Sequence, residues 1–95
     1  MEQTKGNRVV ISVVGNDQKG IIAKVASILA ENEINILDIS QTIMQGFFTM
    51  VMVVDFKDYK GDIETLAAQF QPLEADIGLK IRLQHEDIFN FMHRI

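Results

Sequence analysis

VVISVVGNDQKGIIAKVASILAE, residues 9–31, changes its hydrophobic period midway. Arg8 to Val14 are β-branched and closely spaced, the pattern of a buried strand. From Gly20 to Asn32 the apolar residues spread out. Ile21, Val25, Ile28 and Leu29 form one stripe with Ile22 and Ala26 beside it, while Lys24, Ser27 and Glu31 fall on the wetter side. That spacing predicts a helix, with Asn32 at its end. Between the two lies GNDQKG, residues 15–20, where a strand hands over to a helix.

The following residues alternate. Ile34 to Ile43 are expected to form a second strand, with Leu37, Ile39 and Ile43 on one side and Ile36, Asp38, Ser40 and Thr42 on the other. Met44-Gln45-Gly46 is a hairpin turn, with glycine supplying a dihedral other residues avoid. Phe47 to Phe56 return as a third strand, with Phe48, Met50, Met52, Val54 and Phe56 assigned to the core. After a turn at 58–61, a second helix starts at Gly61 or Asp62, with Ile63, Leu66, Ala67, Phe70 and Leu73 at helical spacing. Pro72 predicts a kink or break near Gln71, and Gly78 ends the element. Leu79, Ile81 and Leu83 then alternate with Lys80, Arg82 and Gln84 as a half-exposed strand.

Strand, helix, strand, strand, helix, strand is a ferredoxin-like α+β sandwich: βαββαβ, a four-stranded antiparallel sheet with two helices on one face. Residues 1–7 read as a lead-in and 8–86 as the single domain that 95 residues allow. Residues 87–95 are left as a short helical tail, with Ile88, Phe91 or Met92, and Ile95 at helical spacing. The sheet face away from the helices would show Val10, Val14, Phe47, Val51 and Val53, more apolar surface than a water-facing sheet carries. The tail and a second subunit are the two candidates to cover it.

Composition excludes several functions. The chain has no Cys, so it carries no disulfide or thiolate chemistry. A Cys-free domain with a polar N-terminus and no long apolar run is expected in the cytosol, off the membrane. A net charge of −4 without a basic stripe argues against direct nucleic-acid binding. No nucleophile stands beside a base, and Ser12, Ser27 and Ser40 read as surface residues, so no enzyme is expected. His85, Glu86, Asp87 and His93 are the one metal-like cluster. Three are consecutive and point different ways, so neither a metal nor another cofactor is expected.

GNDQKG is the remaining candidate for binding. The first N–H groups of a helix starting near Gly20 lack intrahelical partners and can receive a carboxylate. Asn16 offers a donor and an acceptor, and Asp17 an anionic acceptor for an ammonium group. Gly15 can let the chain leave the strand sharply, and Gly20 allows close approach. Turn chemistry alone also explains every one of these residues. The loop is no nucleotide cradle, because Lys19-Gly20 has the wrong order for a phosphate-binding loop.

Residues 9–54 also resemble the ACT domain, a small ligand-sensing module of amino-acid metabolism. The resemblance rests on Gly15-Asn16-Asp17, on Gly20-Ile21 opening the helix, on Val25, Leu29 and Ala30, and on Asn35-Ile36 leading into Asp38-Ile39. The topology extends it to about residue 84. The full length and the ending HEDIF..MHRI are similar to the stand-alone bacterial ACT proteins of the UPF0237 group, and ACT modules of the glycine-cleavage regulator and of phosphoserine phosphatases are also similar. The resemblance implies side-by-side homodimers, paired through the first helix and second strand into one eight-stranded sheet, with an amino-acid ligand at the interface. Asn16, Asp17, Gly20 and Ile21 of one subunit would then face Asn35, Ile36 and Gln41 of the other. A structural or protein-interaction module without a small ligand is the competing expectation, and the open sheet face could carry a higher oligomer or a protein partner.

Overall fold

The computed structural model describes residues 7–16 and 19–86. The elements are β1 (Arg8–Asn16), α1 (Ile21–Glu31), β2 (Asn35–Met44), β3 (Phe47–Asp55), α2 (Ile63–Ile77) and β4 (Lys80–His85). Every strand pairing is antiparallel and the sheet order is β2-β3-β1-β4. The fold is the expected ferredoxin-like sandwich. β1 and β3 hold the centre, and β2 and β4 are the edges.

One face of the sheet makes the core. Val9, Ile11 and Val13 of β1 and Met50, Met52 and Val54 of β3 have no accessible surface. Ile21, Val25 and Leu29 of α1 and Leu66, Phe70 and Leu73 of α2 close over them in one cluster. Each such side chain contributes about 1.5–3 kcal/mol on burial. Phe56, assigned to the core from sequence, is only partly buried and packs at its margin.

The helix ends follow local chemistry. At the end of α1 the Ile34 N–H donates to the Leu29 carbonyl at 3.0 Å and the Glu33 N–H to the Ala30 carbonyl at 3.1 Å. This Schellman closure puts Glu33 in the left-handed region at φ 60°. Asn32 Nδ2 donates to Gln69 Oε1 at 2.9 Å while Gln69 Nε2 donates back to Asn32 Oδ1 at 3.1 Å, fastening α1 to α2. Asp62 caps α2, and Gly78 ends it at φ 71°.

The structure corrects four further expectations. The hairpin turn has two residues, not three: Met44 pairs with Phe47, and both Gln45 (φ 53°) and Gly46 (φ 85°) take positive φ. α2 runs through Pro72 to Ile77 without a break. Pro72 and Ala68 are both exposed, so water can serve the Ala68 carbonyl that loses its N–H partner. β2 carries a bulge between Ile36 and Asp38. Ile36 pairs with Val54, and Ile39, Gln41 and Ile43 pair with Met52, Met50 and Phe48, so all four lie on the helix side. Ile36 is therefore not on the face of Asp38, Ser40 and Thr42. Fourth, Gly15 lies within β1 opposite Phe48 and does not turn the chain.

Candidate functional site

Gly20 is the N-cap of α1, at φ 83°. A Cβ there would meet only Lys24 Cε, at 4.0 Å, so glycine is needed for its dihedral and not for room. Among the described residues no side chain caps the helix start, and its first turn holds no acidic residue. The backbone N–H groups of Ile21, Ile22 and Ala23 therefore stand at a positive helix end, with the Lys24 stem close by. That end favours an anion such as a carboxylate.

Across from it stands the second half of β2. Gly20, Ile21, Ile22 and Ala23 line a groove with Gln41, Ile43 and Phe48. Its floor and walls are apolar, and Gln41 supplies the side-chain donor and acceptor. The groove encloses about 240 Å³. Ligand pockets commonly hold roughly 300–1,000 Å³, so a further wall would be needed to enclose a guest.

Gly20, Ile21 and Gln41 thus come together. Asn35 and Ile36 sit at the far end of β2, six and five residues from Gln41, or about 16–20 Å along a strand. Asn16 pairs with Phe47, which places it on the side of the sheet away from the helices. Asp17 lies outside the described residues, as do Asp87 and His93. His85 is exposed at the end of β4. Gly15 acts in packing: a Cβ there would lie 2.6 Å from Leu79 Cδ2 and 3.2 Å from the Gly78 carbonyl. Sequence reading did not assign Ile22, Ala23, Ile43 and Phe48 to the site. Their only signal was apolarity, which core residues share.

The β2 edge beside this groove is bare. All ten residues of β2 are exposed. Ile36, Ile39 and Ile43, on the helix side, keep 39%, 41% and 57% of their surface in water. Ile22 of α1 adds 37%. The Asp38 carboxylate accepts the Ile39 N–H at 2.9 Å and so covers one donor of the strand. A long apolar edge of this kind is a template for pairing.

The model of the ACT domain matches residues 7–84. The chain belongs to the ACT domain family. A UPF0237 protein of Methanocaldococcus jannaschii is 49% identical over 89 residues, which span 94% of this chain and 99% of that protein. This places the ACT domain described here in the UPF0237 group. An ACT domain protein from Streptococcus pneumoniae superposes with a TM-score of 0.76 at 39% identity, covering 90% of this chain and 96% of its own. The ligand-free regulatory subunit of aspartate kinase from Thermus thermophilus superposes at 0.65 with 27% identity, covering 84% of this chain and 52% of that subunit. ACT domains are typically small ligand-binding regulatory modules and in general are not catalytic.

Proposed function

We propose that this ACT domain is a non-catalytic regulatory module that works as a cytosolic homodimer and binds an amino acid at the subunit interface. The observation that carries the reading is the uncovered β2 edge beside a groove too small to enclose a guest alone. Pairing two β2 edges antiparallel about the strand's midpoint would bring the partner's first residues of β2 beside this chain's last ones. Asn35 and Ile36 of one subunit would then approach Ile43 and Met44 of the other, next to Gly20 and Ile21. That supplies the missing wall and reunites candidate residues that one chain holds about 16–20 Å apart. The carboxylate would lie on the N–H groups of Ile21 and Ile22. Gln41 and Asp17 are assigned to the rest of the ligand and Asn16 to the loop that frames it, while Asn35, paired with Asp55 on the face away from the helices, would take part through its backbone and leave the partner's wall to Ile36.

Thermal unfolding against the twenty amino acids, with the mass measured in solution, tests the reading. A native-state ligand at a hundred times its Kd adds about 2.7 kcal/mol to stability. A dimer with one responsive ligand class is the expected result. A dimer that no amino acid shifts at millimolar concentration would replace the proposal with a protein-interaction module. The groove's apolar lining favours that second reading.

A further inference from the structure

The sheet face away from the helices is uncovered among the described residues. Cross-strand register sets Val10 beside Val53, Ser12 beside Val51 and Val14 beside Thr49, with Asn16 and Phe47 closing the row. Val14, Val51 and Phe47 keep 41%, 40% and 57% of their surface in water. Most of the apolar residues are central, and Met44 of β2, 65% exposed, extends the patch beside Phe47. Lys80, Arg82 and Gln84 of β4 flank them on one side, and Asp38, Ser40 and Thr42 of β2 on the other. An apolar centre within a polar rim is the form of a covered surface.

Where the described chain ends indicates the cover. Arg8 pairs with Asp55 at one end of this same face. Its guanidinium meets the carboxylate of Glu86, the last described residue, at 3.3 Å. Glu86 follows directly on the last residue of β4, so this ion pair brings the chain's exit from the sheet beside Arg8, on the open side. On the helix side the exposed apolar residues lie at the β2 edge, across the sheet from β4, and α1 and α2 cover the rest.

Nine residues follow, DIFNFMHRI, five of them large and apolar. As a helix they would measure about 13 Å. From Val10 to Val14 the open face runs four residues, also about 13 Å. Ile88, Phe91 or Met92, and Ile95 recur at the spacing of one helical face. We propose that residues 87–95 lie across the open face of their own subunit, on Val10, Val14 and Val51, and turn the two-layer sandwich into a three-layer one. The tail is tethered beside its target, so the effective concentration of docking within the chain is in the millimolar range or above. The proposal does not rest on the amino-acid reading, because the β2 edge and its groove lie apart from this face.

The absence of Cys makes the test direct. Val51→Cys and, as a control on the exposed flank of α1, Ser27→Cys are each placed in the full chain and titrated with a soluble maleimide. The thiol introduced by Val51→Cys is expected to react at least about tenfold more slowly than the control, at a rate ratio that does not change on dilution. Adding Phe91→Glu, or ending the chain after Glu86, should release that protection. Circular dichroism checks that each variant folds, and the unmodified tail's own protection stands without them. Equal reactivity at the two positions overturns the proposal. Protection that falls away on dilution also overturns it, because a second copy would then be the cover.

Discussion

Glu33 holds φ 60° at the end of α1, where glycine or asparagine would be at ease. The left-handed region costs an ordinary L-residue about 1–2 kcal/mol. Glu33→Gly is therefore expected to raise stability by about 1 kcal/mol in urea unfolding, part of the relief being offset by the freer unfolded chain. The two glycines of the first loop should fail for different reasons. Gly15→Ala drives a methyl against Leu79 and should cost about 1–3 kcal/mol by overpacking. Shortening the neighbour by Leu79→Val should recover part of that, so a double-mutant cycle will show coupling. Gly20→Ala meets open space and should cost about 1–2 kcal/mol through its dihedral alone. Leu79→Val should not change that cost. Both glycines were visible in the sequence. Their roles were not, because one depends on a side chain 64 positions away (79 − 15) and the other on a helix-start dihedral.

Among the elements, α2 has the clearest pH signature. Asp62 accepts from the Thr65 hydroxyl at 2.7 Å and from its backbone N–H at 2.9 Å. These bonds hold the carboxyl below its usual range. A depressed native value means that the charged cap stabilises the fold above the ordinary aspartate pKa of about 4. The contribution fades as pH falls from there through the lower native value. Asp62→Ala should lower Tm at neutral pH and remove this part of the acid dependence. Asp62→Asn should keep most of the neutral-pH Tm and likewise lose the acid dependence, since its side-chain oxygen still caps. Melting curves between pH 2 and 7 check both. α2 also shows the limit of a local rule. Pro72 forecasts a kink or a break, and the break does not occur: the helix persists because Leu73 beyond it is buried and the freed carbonyl lies on the wet side.

For the molecule, the core and the bare edge make opposite predictions. Phe70, 1% exposed, joins α2 to the core beneath both central strands, and Phe70→Ala should cost about 3–5 kcal/mol. A small domain has about 5–15 kcal/mol in all, so this variant should be close to unfolding at 37 °C. Ile39→Lys, on an edge residue left 41% exposed, should cost the fold little and abolish the pairing of β2 edges proposed above. Sedimentation of a folded, monomeric Ile39→Lys is the expected result. A dimer that survives it would move the interface elsewhere. The sequence by itself determined the six elements, their order and most of their faces, because periods of two and of about 3.6 residues are local properties. It also placed the open apolar face, since β1 and β3 alternate without interruption. Only the tertiary structure decided the bulge at Leu37, which moved Ile36 to the helix side, and the meeting of Gly20 and Ile21 with Gln41 and Ile43. Both depend on how distant strands and helices are set against each other. Hydrophobic period names a face, but cross-strand register and packing choose the neighbour that the face meets.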